Sequence, residues 1–360
     1  MKWLKLHNAH GIILTDRQTD RQTDRQTDRQ TDRQTRLDWL DITRAIGIIL
    51  MIAGHIDFGR TFDHYIHAYH IPLFFFISGY LYKKPYSIGE LIKKRARTLL
   101  VPYLSFGLIY WAGDCVFTKH SFNVDTLVRL LTFNHKGLAI AGALWFLTSA
   151  FISSILYCII REKFKSKISC VLAVCLIPLC GIYFPKAVNF RLPWCADTAL
   201  VGVGLMGAGN ALKNKLDSEY IIEKNTVLGI MILVNIAMIF TNGMINMRKA
   251  QYANVPVFWI NAILAIVILF EISKRINKQT HRFGKYIANE LRFIGRNTVV
   301  YLCMNQLLIL WINGLCDYMG IQSMRIEGAY KLVMLVMLLV LLHFITKLFN
   351  QTRLKILIGK

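Results

Sequence analysis

The sequence predicts an all-α polytopic membrane protein with about ten transmembrane helices and both termini cytoplasmic. Three observations lead there. Of its 360 residues, 54% are apolar. The apolar residues gather in repeated runs long enough to cross a bilayer, which needs about 20 residues of helix. The basic residues fall into the short connections between those runs, on alternating sides, as the positive-inside rule requires. A formal charge of +22 would otherwise suggest a nucleic-acid partner. Its dispersal among loops, with no basic face on a soluble domain, excludes that reading.

Ten spans are expected, at roughly 39–58, 66–82, 99–117, 143–160, 168–184, 196–212, 225–241, 255–273, 293–316 and 329–346. The loops this assigns to the cytoplasm hold Lys83, Lys93, Arg95, Arg97, Arg161, Lys167, Lys213, Lys274 and Arg282 among others. With the carboxyl-terminal tail they carry more than twice the Lys and Arg of the outer loops, where Arg60, Arg191, Arg248 and Lys331 stand. Three segments follow: a disordered cytoplasmic tail over 1–34, a transmembrane domain over 35–350 and a cytoplasmic tail over 351–360. The first residues, Met1–Leu14, carry too short an apolar stretch for a cleavable signal peptide. The eight cysteines form no Cys-x-x-Cys pair and read as small packing residues.

Thr15 to Gln34 is five perfect copies of Thr-Asp-Arg-Gln. With no apolar stripe it cannot bury a face and is expected to be disordered. A tandem four-base unit ACAG, read in threes, encodes this same four-residue repeat. Gain or loss of one unit would shift the reading frame, so the repeat points to phase-variable expression.

The first span carries the most specific signal. Arg44 and His55 are separated by ten residues in an otherwise apolar helix. Eleven steps of ~100° return the chain to within ~20° of its starting direction, so the two share a face ~16 Å apart along the axis. Each costs roughly 2.5–3.5 kcal/mol in lipid even on a lenient scale, which marks both as functional candidates. His55 fits a general base, with a core histidine bonded to a backbone carbonyl as the plainer alternative. Arg44 fits an anion contact, or pairing with Asp41 or Asp38. His64, His67 and His70 recur every three residues. No thiolate and only Asp63 among the carboxylates stand nearby, so a metal site is not expected. Gly202-Val-Gly204-Leu-Met-Gly207 matches a dinucleotide pattern, but it lies inside a span with no βαβ unit and reads as a helix-packing face, as does Ser78-Gly79.

Four segments together resemble the acyltransferase-3 family of integral membrane acyltransferases. They are the Arg44 to His55 spacing, the run His70-Ile-Pro72-Leu-Phe74-Phe75-Phe76-Ile-Ser78-Gly79, the stretch Arg95-Ala-Arg97-Thr-Leu-Leu-Val-Pro102, and Leu144-Trp145-Phe146-Leu147. The likeness covers about 36–350 and is most specific over 36–103. Gly295-Arg296-Asn297-Thr298 fits a further segment, after which many members have His where this chain has Asn305.

The resemblance implies a membrane-bound O-acyltransferase of the bacterial inner membrane, of the type that acetylates surface glycans. Acyl-CoA, acetyl-CoA above all, would serve as donor substrate with no permanently bound cofactor. A lipid-linked or cell-surface polysaccharide, such as lipopolysaccharide or capsule, would serve as acceptor. On this reading His55 is the base. Arg95 and Arg97 meet the CoA phosphates, with Arg44 assisting; the alternative is that they only fix topology. His70, Trp145 and Asn305, with Asp38 and Asp41, are expected to position substrate. A proton-coupled transporter or flippase, or a polysaccharide polymerase, would keep similar intramembrane charges.

Overall fold

The computed structural model describes residues 37–117, 124–136, 142–320 and 328–360. The Thr-Asp-Arg-Gln repeat and the rest of 1–34 lie outside the described residues. Every regular element described is helical, in the order α1 (Asp38–Ile56), α2 (Arg60–His67), α3 (His70–Tyr80), α4 (Ile88–Arg95), α5 (Val101–Phe117), α6 (Val124–Leu131), α7 (Trp145–Lys163) and α8 (Lys167–Val188), then α9 (Ala196–Leu216), α10 (Asn225–Asn242), α11 (Val255–Asn277), α12 (Arg282–Arg296), α13 (Thr298–Tyr318) and α14 (Gly328–Gln351). Short 3₁₀ turns join several of them. Nine helical segments among the described residues are long and apolar enough to cross a membrane. The chain is an all-α polytopic membrane protein.

The second expected span differs. Over 66–82 the chain does not form one crossing helix. It breaks after His67 and restarts at His70, leaving α3 with 11 residues. Pro72 explains the restart: it sits in the first turn, where its missing N–H costs no helical bond. A helix this short cannot span lipid alone. It survives because it is buried in the bundle, with Leu73, Phe75, Phe76, Ile77 and Tyr80 at most 2% exposed. The apolar Phe run is thus mainly core, as expected of packing residues.

Glycine sets that burial. A Cβ on Gly79 would lie 1.9 Å from the Met206 carbonyl oxygen, and one on Gly209 would lie 2.1 Å from that of Phe76. A Cβ on Gly202 would strike Ser153 Oγ at 2.4 Å and Phe75 at 2.6 Å. Backbones of α3 and α9 therefore touch directly, which is how small residues drive helix association in lipid. The dinucleotide-like run packs helices too: Gly202 meets α3 and α7, while Gly204 and Gly207 meet Pro178 and Val174 of α8.

One end of the bundle is tied by aromatic and ionic contacts. Trp39 on α1 meets Tyr80 of α3 at 5.8 Å and Phe270 of α11 at 4.9 Å, edge to face. Lys274 Nζ stands 4.7 Å over the Trp39 ring. Tyr80 donates its hydroxyl to Asp217. Buried Glu271 accepts from Arg275 Nε at 2.6 Å and from the backbone N–H of Ile221 at 2.8 Å, fixing the connection into α10.

Between α4 and α5 the chain forms a π-helical turn, Ala96–Leu100. Such turns are rare and gather at functional sites. The last residues fold back against it. A 3₁₀ helix over Arg353–Ile358 ends at Gly359, whose φ of +72° suits glycine. A Cβ there would come within 1.9 Å of the Arg97 carbonyl oxygen. Lys360 Nζ then reaches Asn297 Oδ1 at 2.8 Å and Asn350 Oδ1 at 2.9 Å. The segment 351–360, expected only as a tail, is part of the fold.

Candidate active site

Helix α1 carries the site as a rod with a charged cluster near each end. Asp41, only 1% exposed, accepts from Arg44 Nη1 at 2.9 Å through one oxygen and from Arg296 Nε at 3.1 Å through the other. The approach is possible because Gly295 has no side chain: a Cβ there would lie 1.7 Å from the Asp41 carbonyl oxygen. A buried carboxylate shared by two guanidiniums orients both and holds α1 against α12. Asp38 begins α1 and is partly exposed.

Arg95 lies close enough to Arg44 for the two cations to act on each other. It is partly buried where α4 meets the π turn. Among the described residues no hydrogen bond or carboxylate partner engages its guanidinium. Two neighbouring guanidiniums, one without a counter-ion, make a natural anion site. Arg97, inside the π turn, is more exposed.

His55 stands in the last turn of α1. Its Nδ1 is 3.2 Å from Gln306 Nε2 on α13, and Gln306 Oε1 receives the Ala143 N–H at 3.4 Å. The imidazole is therefore not a core histidine turned to its own helix; a side chain 251 positions away engages it. Gln306 Nε2 can only donate, so Nδ1 is the acceptor and basic nitrogen of the neutral ring, and Nε2 carries the proton. His67 and Arg248 lie within electrostatic reach of the ring. Arg248 donates through Nε to the His135 carbonyl at 3.2 Å. Beside it Arg191 grips buried Asp197 in a fork, and its Nη1 bonds the Arg248 carbonyl at 2.9 Å.

The remaining expected residues divide. His70 is within electrostatic range of His55 and packs edge-on to His67 at 5.0 Å. Its Nδ1 is bound to the Ile66 carbonyl at 2.7 Å, so Nδ1 carries the proton and Nε2 remains an acceptor. Asn305 is fully buried and donates to the carbonyls of Tyr301 (2.9 Å) and Leu302 (2.7 Å); among the described residues its Oδ1 has no partner. Its neighbour Gln306 is the residue that meets His55. Trp145 opens α7 and packs in the core with Ile245 and Met247. Among the described residues no group of three metal-ligating side chains occurs, the three histidines included. A groove of about 640 Å³ lined by Tyr157, Arg161, Val174, Pro178, Gly204 and Trp259 contains neither His55 nor Arg44.

Sequence reasoning missed Gln306, Arg248 and Arg296 as members of the two clusters. Arg296 lies within the Gly295 to Asn305 segment and Gln306 directly follows it, so that stretch held a signal. Arg248, in a loop between α10 and α11, offered none.

A family model described as an acyltransferase domain matches residues 37–349. The nodulation protein NolL of Mesorhizobium japonicum is 31% identical over 137 residues, which cover 32% of this chain and 34% of that protein. The chain thus matches about a third of that relative's length. No solved structure matches. With a model of the family spanning nearly the whole described chain, and the arginine and histidine of its first helix each held in a defined cluster, this protein belongs to the acyltransferase-3 family of membrane acyltransferases.

Proposed function

We propose that the protein transfers an acyl group, acetyl in the first instance, from cytoplasmic acyl-CoA to a hydroxyl of a lipid-linked or cell-surface polysaccharide. The observation that carries the reading is the pair of clusters on α1. Arg44 and Arg95 form a cationic site at one end, and His55 is held by Gln306 near the other. The basic loops favour the Arg44 end as cytoplasmic and the His55 end as external. Arg95, Arg44 and Arg97 then meet the CoA phosphates, and the pantetheine arm covers the ~16 Å of helix rise between the clusters. His55 takes the proton of the acceptor hydroxyl as its oxygen attacks the thioester carbonyl. The thiol leaves with that proton, and the acyl ester remains on the glycan. A positioned base of this kind contributes about 10²–10⁴-fold.

The setting consistent with this chemistry is a bacterial inner membrane, where a cytoplasmic donor faces an external acceptor. The family supports acyl transfer. The repeat over 15–34 supports phase-variable expression. Gene sequencing tests the repeat: mixed synonymous codons across the five copies would end that part. The activity is tested by incubating membranes with labelled acetyl-CoA. Base-labile label on glycan is expected. Movement of glycan without any ester would instead identify a carrier.

A further inference from the structure

We infer that Arg248 and Gln306 form the site that holds the carbonyl oxygen of the acyl group during transfer. The inference rests on the acyl-transfer reading above and adds to it the groups that bear the negative charge. The geometry converges on one point. An atom standing where an alanine Cβ would be at position 142 lies 3.1 Å from Arg248 Nη1, 3.5 Å from Gln306 Nε2 and 3.6 Å from Gln306 Oε1, which the Ala143 N–H engages. Gly142 has no side chain, so that residue places no atom at the point. Gln306 Nε2 is in turn 3.2 Å from His55 Nδ1. Two N–H donors therefore border a space the size of one small atom, and the second of them also touches the base.

Arg248 is suited to the task by what it lacks. It is partly buried, and the only bond its guanidinium makes among the described residues is Nε to the His135 carbonyl. The buried Asp197 carboxylate is gripped by Arg191. Arg191 also fixes the Arg248 backbone through its carbonyl. Among the described residues Arg248 is thus a held cation with free N–H groups and no carboxylate bound to it, as electrostatic stabilisation of a developing oxyanion requires.

The step balances as follows. The acceptor oxygen bonds the thioester carbon and its proton passes to His55. The carbonyl π pair moves onto oxygen, between Arg248 Nη1 and Gln306 Nε2. When that pair returns, the carbon–sulfur bond breaks. The sulfur leaves with the bonding electrons and takes the proton from His55.

Three variants test this in membranes supplied with labelled acetyl-CoA: Arg248→Ala, Arg248→Lys and Gly142→Ala. The last keeps every donor and fills the space; position 142 shows no left-handed backbone that alanine would strain. Arg248→Ala is expected to lower kcat roughly 10²–10³-fold, with acetyl-CoA affinity in the same membranes unchanged. Added methylguanidinium should restore part of that rate, and Arg248→Lys should keep more than Arg248→Ala. Gly142→Ala is expected to lower kcat more than tenfold, again with affinity unchanged. A structural role alone predicts neither the kcat-only loss nor the rescue. Parental kcat in both Arg248→Ala and Gly142→Ala would overturn the assignment and leave the acyl-transfer reading standing. No acylation by the parental protein would overturn that reading, and the assignment with it.

Discussion

Neutralising Asp41 tests how the Arg44 cluster is built. In Asp41→Asn the buried carboxylate shared by Arg44 (2.9 Å) and Arg296 (3.1 Å) becomes a neutral amide. The amide oxygen can accept from one guanidinium, but the amide N–H₂ faces the other, donor against donor. Removing one partner of a buried ion pair costs about 3–5 kcal/mol, because the remaining charge loses its compensation. Here the upper part of that range is expected, since the side chain is 1% exposed and water cannot replace it. Arg296 is more open than Arg44, which limits the loss on its side. Melting of the purified protein in detergent is the assay, read with the double variant Asp41→Asn, Arg44→Gln. The single variant should melt well below the parent, and the double variant should recover part of the difference. A single variant that melts with the parent would refute the view that this carboxylate is the anchor of the cluster.

Other expectations follow from particular contacts. Gly79→Ala places a Cβ 1.9 Å from the Met206 carbonyl oxygen and should sharply reduce folded protein recovered from membranes; near-normal yield would contradict the direct contact of α3 with α9. Arg95→Ala should weaken acyl-CoA binding at least tenfold and flatten its dependence on salt, since an anion contact of this kind is screened. Equal binding by variant and parent would reduce Arg95 to a topology charge. Gln306→Ala removes the group at 3.2 Å from His55 Nδ1 and should lower kcat while leaving acyl-CoA affinity in place; unchanged turnover would show that the contact does not serve the base.

Much of this was legible in the sequence because helical periodicity is local. The shared face of Arg44 and His55 follows from eleven steps of one helix, and the glycines of α9 declare a packing face without a partner in view. The Asp41 to Arg44 pair is likewise a neighbour relation, three residues apart. The partners that complete each cluster were not legible, since they arrive by tertiary packing. Gln306 reaches His55 only after α13 docks beside α1, and Arg296 reaches Asp41 only because Gly295 lets α12 close on α1. Composition also misled once. The run over 66–82 is apolar enough to span, yet Tyr69, His70 and Pro72 restart the helix, and α9 supplies the burial that lipid would have given.

The central claim is that the imidazole on α1 accepts the proton of the attacking alcohol. It is tested most directly by single-turnover transfer of labelled acetyl from acetyl-CoA to glycan in membranes carrying His55→Ala. Equal amounts of inserted protein are to be compared, with acetyl-CoA binding checked in the same preparations. The account predicts a rate lowered by about 10²–10⁴-fold with donor binding retained. Transfer at the parental rate would contradict it.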